Sequence, residues 1–505
     1  MSETTEHCEV AVIGSGFSGL GVAIELKRSG IEDFVVLERA DAVGGTWRDN
    51  VYPGCAVDVP SVLYSYSFFP GDWSRLFATQ PELRAYTESV VDAFELRRHV
   101  RLNSEVVGGE FDESTHRWSV RLADGRVISA RAVVMGYFSL HVPFVPDVPG
   151  RDVFSGVQMH SSSWDLGFDP QGKRIAVVGS GASAVQIVPA LAREGAHVVS
   201  FQRSPAWVLP RGDRAIPGPV RTVLRKFPPA RLALRGMVFS LLESVHLAEF
   251  HPRLLPVFEQ VCLRALRKQV PDPRTREALR PDYRFGCKRP MVSDEYYAAF
   301  ARDDVELVTE KIVDLTAAGV RTADGVVHEV DAIVWATGYH VQDSIPRFPD
   351  FRTPAFSLRE SYGRNGFTAY RGIAFAGLPN LFCVTGPNTA LPHTSQFQAI
   401  EPTTRLIART IAHMRDRALT RYTPTEAAQR RFVAQCRRVL ADRVWTIGGC
   451  TSYFVSATGV NTLTWPGGTR SVRRDRRHIR PEDWDRSPAV IIESAAPRIE
   501  SDSAR

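Results

Sequence analysis

The chain has 505 residues, 44% hydrophobic and 23% charged, which excludes a wholly disordered protein and allows two or three domains with cores of their own. No apolar run approaches the roughly 18–20 residues that cross a bilayer, and the polar start lacks the basic and apolar regions of a secretory signal, so a cytoplasmic protein without integral membrane association is expected. The net charge of +6 comes mostly from arginine, and its densest run, residues 470–480, has no interleaved aromatics, which argues against nucleic-acid binding and for a solvated tail.

The first predicted element is a βαβ unit. Residues 9–13 read as an apolar strand, Gly14-Ser-Gly16-Phe17-Ser18-Gly19 follows at once, a helix runs to about Arg28, and a second strand at residues 34–37 closes on Glu38. Glycines between a strand and a helix allow a tight turn and let the backbone approach a pyrophosphate at the helix N-terminus. Glu38, at the end of the second strand, suits the ribose diol of FAD or NAD and repels a 2′-phosphate. Residues 143–150 are rich in proline and read as a linker. A second βαβ unit follows, with a strand at residues 175–178, the turn Gly179-Ser180-Gly181-Ala182-Ser183-Ala184, a helix to about Arg193 and a strand at residues 197–201. Ala184 stands where the third glycine would be, and the second strand ends on Gln202-Arg203-Ser204 with no carboxylate. Arg203 and Ser204 suit a 2′-phosphate, which assigns NADPH to this site.

Residues 217–268 are rich in leucine and arginine at helical spacing and predict a helical insertion. Its amphipathic part, residues 234–250, would pack against the neighbouring domain or make peripheral membrane contact. Short strands return from residue 306 to residue 339, after which the chain re-enters the first domain; beyond residue 475 periodicity is lost, and the last ten residues read as frayed. The expected fold is α/β, with two Rossmann-like dinucleotide-binding domains. FAD takes residues 1–140 and 341–475, NADP takes residues 141–340 with the insertion at about 217–285, and residues 476–505 form a C-terminal tail. The seven cysteines are scattered without a Cys-x-x-Cys pair and read as reduced thiols, with no metal site. Two nucleotide sites in one chain suggest hydride passing from NADPH to a flavin, which a plain flavin reductase would also satisfy.

Between the two units lies Phe154-Ser-Gly156-Val-Gln-Met-His160-Ser-Ser-Ser-Trp164-Asp165, and the first domain carries Gly44-Gly45-Thr46-Trp47, then Tyr52-Pro-Gly, then Asp58. The strand of residues 331–339 ends in Ala336-Thr337-Gly338-Tyr339, and Gly386-Pro-Asn388-Thr389 precedes Ile400-Glu401. With these motifs the chain resembles the class B flavoprotein monooxygenases of the flavin-containing monooxygenase superfamily, and specifically the Baeyer–Villiger branch; Trp164 favours that branch over the nitrogen- and sulfur-oxidising one. The match runs from about Glu9 to Thr469, with Met135-Gly-Tyr137 replacing an Ala-Thr-Gly hinge and Pro392-His393-Thr394-Ser395 replacing Gly-His-Asn-Ser.

The resemblance implies an FAD- and NADPH-dependent enzyme that inserts one oxygen atom of O2 beside a ketone carbonyl, through a flavin C4a-peroxide, to give an ester or lactone. It places the active-site arginine at Arg289, ahead of Tyr296-Tyr297, with Asp58 as its carboxylate partner. A fixed guanidinium suits a developing oxyanion because it stays charged and does not give up its proton. Lys288 would join Arg203 and Ser204 around the 2′-phosphate. The flavin would be held by residues of the first unit, Arg39 among them, together with Gly45, Thr46, Trp47, Tyr52, Asp58 and Asn388. Phe154, Gly156, His160, Trp164 and Asp165 would form a hinge that couples NADP binding to domain movement. Residues 450–454 and 461–465 would shape the substrate pocket. Alternatives are a monooxygenase that oxidises nitrogen or sulfur, and a non-catalytic flavin-binding interaction protein.

Overall fold

The computed structural model describes residues 6–137, 140–341 and 347–488. Alternating apolar runs and glycine turns build two large sheets, with three smaller ones of two or three strands among the described residues. In the ten-stranded sheet, Phe34–Leu37, Glu6–Ile13 and Val127–Met135 run parallel, with Val12 level with Val36 on one side and Val134 on the other. Leu378–Cys383, from the last third of the chain, adds in parallel to Val127–Met135. Every residue of Phe34–Leu37 and of Leu378–Cys383 is buried, as expected for strands covered on both faces. Val106–Asp112 and Arg117–Leu122 extend this sheet as an antiparallel meander. The second sheet has five strands, all parallel, in the order Val305–Val308, His197–Phe201, Arg174–Val178, Ala332–Trp335, Val157–His160.

Each sheet carries the expected strand–glycine turn–helix unit, followed by Phe17–Arg28 in the first and Ala182–Arg193 in the second. The first of these helices is packed between its sheet and the helix Phe397–Asp416, with Leu20, Val22, Ile24 and Leu26 fully enclosed. Each such side chain contributes about 1.5–3 kcal/mol relative to exposure. Gly19 is required here by close approach, since a Cβ would lie 1.8 Å from the Gly14 carbonyl oxygen.

The insertion consists of helices Gly218–Lys226, Pro228–Phe250, Leu255–Gln269 and Pro273–Ala278. Pro228–Phe250 packs against the first domain at Ser61–Leu63, where Arg235 donates to the Val62 and Ser65 carbonyls. Its outer side leaves Leu232, Met237, Leu241 and Leu247 exposed. Among the described residues, no helix is long and apolar enough to cross a membrane.

Two expectations are overturned. The basic run is not a loose tail, although Arg470, Arg473, Arg474, Arg477 and Arg480 are exposed: Thr469–Asp475 is helical, and Trp484–Pro488 pairs with Leu419–Pro424 and stacks Trp484 on Tyr422 at 4.5 Å. Arg476 is only 3% exposed and Arg371 only 1%. Asp475 sits between them and also takes Arg480, and this shared carboxylate offsets the cost of burying two guanidinium groups. The frayed last ten residues lie outside the described residues. Nor are all the thiols reduced, because Cys287 and Cys450 form a disulfide across 163 residues of sequence. Cys8, Cys55, Cys262, Cys383 and Cys436 are free and buried.

Candidate active site

Ile13, Leu37, Val178, Phe201 and Trp335 are the last residues of their strands, and all five line one cleft of about 1590 Å³. The carboxyl ends of parallel strands in both sheets therefore open on the same space, where open α/β sheets bind ligands. An ordinary small-molecule site holds about 300–1,000 Å³, so the cleft is sized for more than one ligand. The helices Phe17–Arg28 and Ala182–Arg193 both begin at this cleft, and neither first turn is capped by a side chain. Their free N–H groups and dipoles make two anion-binding ends. A Cβ at Gly181 would meet nothing within 4 Å, which leaves room for a pyrophosphate. This donor set fits two dinucleotides.

At the end of the first unit, Glu38 is 4% exposed. It accepts from Ser15 N (2.9 Å), Ser15 Oγ (2.7 Å), Ala40 N (3.1 Å) and Arg48 Nη1 (2.9 Å). Burial alone would raise its pKa, but the Ser15 bonds and the Arg48 charge outweigh burial and hold the carboxyl below its usual range. At the second unit, Lys288 Nζ donates to Ser204 Oγ at 2.7 Å, and Ser180 Oγ donates to the Ser204 carbonyl at 2.7 Å. Burial, and then the charge of Arg203, hold the Lys288 ammonium below its usual range. Arg203, Ser204 and Lys288 thus form a cationic corner of the cleft.

Arg289 spans the two halves. Its Nε donates to Asp58 Oδ2 at 2.8 Å and its Nη1 to the Pro392 carbonyl at 3.2 Å. Burial would raise Asp58, but Arg289 outweighs it and keeps the carboxylate ionised below its usual range. Asp58 in turn holds Arg289 protonated, above its ordinary value, against the opposing effect of burial. About a quarter of each side chain remains accessible (23% and 27%), and both line the cleft. Tyr64 and Tyr453 also line it.

The flavin-binding monooxygenase-like family model matches residues 7–351. A Baeyer–Villiger monooxygenase of Streptomyces coelicolor is 43% identical over 477 residues, covering 94% of this chain and 92% of its own. One of Pseudomonas aeruginosa is 40% identical over 466 residues, covering 92% of this chain and 88% of its own. The chain belongs to the Baeyer–Villiger branch of the flavin-binding monooxygenases. Among solved structures, OTEMO in complex with FAD and NADP superposes with a TM-score of 0.87 at 26% identity. Closed cyclohexanone monooxygenase superposes with a TM-score of 0.86 at 27% identity, and each match covers 96% of this chain and 100% of the other.

In this monooxygenase the cleft gathers the residues expected to hold cofactor, from the first glycine turn to Ala336, Thr337 and Gly338, with two exceptions. Gly19 is packed beneath its turn, and Asn388 is turned inward. The Asn388 amide donates to the carbonyls of Asn461 (3.3 Å) and Thr464 (3.0 Å), so it fastens a loop and does not line the cleft.

The fingerprint residues lie behind the cleft. His160 is the last residue of Val157–His160 and is 7% exposed. Its Nε2 lies 3.0 Å from the Gly338 carbonyl and its Nδ1 lies 2.8 Å from Ser162 Oγ, while burial holds its pKa below the usual value. That geometry ties two strand ends together and keeps the imidazole away from the reacting space. Gly156 is fixed by crowding, since a Cβ would fall 2.3 Å from the Asp331 carbonyl oxygen. Phe154 is buried, Trp164 packs against the core, and Asp165 accepts from Gly167 N at 2.9 Å to close a turn.

Sequence reasoning missed three residues of the site. Arg48 pairs with Glu38. Arg211 donates to the Val57 carbonyl at 3.0 Å. Gln186 donates to the Ala56 carbonyl at 3.0 Å and accepts from Tyr52 Oη at 3.1 Å. Gln186 lies on the helix of the second glycine turn, and its polar side chain on a helix otherwise well buried was the available signal.

Proposed function

We propose that this chain binds FAD at the first nucleotide unit and NADPH at the second, and converts a ketone, O2, NADPH and a proton into an ester or lactone, NADP+ and water. The reading is carried by the Arg289–Asp58 pair, which sets a permanently charged guanidinium between the two halves with part of its surface in the cleft. Bound flavin would accept hydride from the nicotinamide and activate dioxygen. The chain's own residues supply position and charge. Arg289 stabilises negative charge on the substrate's carbonyl oxygen as that carbon is attacked, and Asp58 fixes the direction of the guanidinium. Arg203, Ser204 and Lys288 bind the 2′-phosphate, while the uncapped turns at Gly16 and Gly181 take the pyrophosphates. His160 and Gly338 act at the hinge, which lets the halves shift between hydride transfer and oxygen insertion.

The test is Arg289→Ala with a panel of cyclic, linear and aryl ketones and mass-spectrometric product analysis. NADPH oxidation persists, ester formation falls by about a hundred- to a thousandfold, and hydrogen peroxide accounts for the consumed NADPH. Undiminished ester formation would remove Arg289 from the chemistry.

A further inference from the structure

The helix Pro228–Phe250 carries His246 and Glu249 three residues apart, so both face the same way. They face His393, in the loop before the helix Phe397–Asp416. Glu249 Oε2 lies 3.5 Å from His393 Nδ1 and 3.8 Å from His246 Nδ1, and one ligand atom from each of the three residues lies within 4.8 Å of the others. Glu249 is 2% exposed and His393 is 6% exposed. His246 Nδ1, Glu249 Oε2 and His393 Nδ1 are all buried without a hydrogen-bond partner. Buried polar atoms are normally satisfied, so three orphans converging on one point call for something between them.

We propose that His246, Glu249 and His393 form a structural site for a divalent transition-metal ion of the zinc class. Bonds of about 2.0–2.2 Å in tetrahedral geometry put ligand atoms roughly 3.3–3.6 Å apart, which is the spacing of His393 and Glu249 and close to that of His246 and Glu249. A direct charge-assisted hydrogen bond would draw these atoms to about 2.7–2.9 Å. Two imidazoles and one carboxylate suit zinc or a similar borderline ion, with the fourth position left for water.

The outer contacts fit the same assignment. His393 Nε2 is 2.9 Å from Glu243 Oε1, which also accepts from Thr469 N at 3.3 Å. A carboxylate on the far nitrogen fixes the tautomer and aims the Nδ1 lone pair at the ion, as is usual for metal-bound histidines. Glu243 and Glu249 carry two negative charges that a divalent cation balances. The residue before His393 is Pro392, whose carbonyl accepts from Arg289, so the ion would clamp the insertion to the loop that steadies Arg289.

The experiment uses the flavin-loaded enzyme, freed of metal by a chelator and dialysed against micromolar zinc. Zinc is measured against flavin by plasma mass spectrometry. About one equivalent is expected per chain, accompanied by a rise in Tm, and His246→Ala and Glu249→Gln each weaken binding at least about tenfold. In the unmutated enzyme, cobalt(II) replacement gives the intense visible bands of a four-coordinate ion beyond the flavin absorption, a readout that needs no variant to fold. Zinc below about a tenth of an equivalent, stoichiometric zinc that survives in both variants, or only the weak spectrum of six-coordinate cobalt would each overturn the site. None of these outcomes depends on oxygenation, so the reading of the cleft stands or falls separately.

Discussion

Arg203 and Lys288 are like charges turned toward one corner of the cleft, and Lys288 is held below its ordinary pKa by burial and by that neighbour. A dianionic 2′-phosphate relieves both penalties, because it supplies counter-charge and hydrogen-bond acceptors at once. NADH brings no such charge. Arg203→Ala is therefore expected to raise KM for NADPH by about tenfold, within the range for one lost charge-assisted hydrogen bond, and to leave KM for NADH almost unchanged. Arg203 is exposed, which keeps the effect at the lower end of that range. Steady-state kinetics with both nucleotides decides the matter, and equal effects on the two would remove the assignment. The mirror case is Glu38, whose two oxygens are already engaged by Ser15, Ala40 and Arg48. A ribose diol must share or displace those partners, and the carboxylate's lowered pKa keeps it an acceptor throughout the neutral range.

At the scale of elements, the disulfide connects the segment that carries Lys288 and Arg289 to the loop that carries Tyr453. Closing so long a stretch of chain restrains the unfolded state and is typically worth about 2–4 kcal/mol. Replacing both Cys287 and Cys450 by serine should lower Tm and, by loosening the arginine segment, raise the share of NADPH lost to hydrogen peroxide. Calorimetry and a peroxide assay check this; unchanged Tm and coupling would make the bridge incidental. The same elements mark how far the sequence could be read. Both βαβ units were legible because strand, turn and helix are neighbours in the chain, and the insertion because helical spacing is local. Arg289 and Asp58 could be paired in advance only through family motifs, since nothing local links them. The Cys287–Cys450 bridge left no trace, because pairing across 163 residues is a property of the fold. Arg476 was misread for the same reason. An arginine-rich run is solvated unless a distant partner pays for its burial, and here Arg371 donates to Asp475 and accepts from Arg476 through its carbonyl. Asn388 was placed among cofactor ligands because its motif borders the flavin side, yet its side chain is consumed by the backbone of residues 461 and 464.

Over the whole molecule, the two halves are joined at residues 50–58, the stretch that ends in Asp58. Tyr339 Oη donates to Asn50 Oδ1 at 3.2 Å, Arg211 donates to the Val57 carbonyl, and Gln186 holds Tyr52 and Ala56. The alignment of Arg289 with Asp58 therefore depends on contacts that tie the nucleotide helix Ala182–Arg193 to the first domain. Gln186 is the most informative of these, because its one amide serves Tyr52 Oη, Ala56 N and the Ala56 carbonyl together. Gln186→Leu keeps the volume and removes all three bonds, leaving partly buried backbone groups unpaired at a cost of about 1–3 kcal/mol. A lower Tm is expected for that reason alone. A latch that registers the halves predicts more: peroxide release per NADPH rises and ester yield falls, while the rate of anaerobic flavin reduction by saturating NADPH stays within about twofold, a shift below 0.5 kcal/mol. If the variant melts earlier but turns every NADPH into product, Gln186 serves stability alone, and the registration of Arg289 must come from Arg211 and Tyr339.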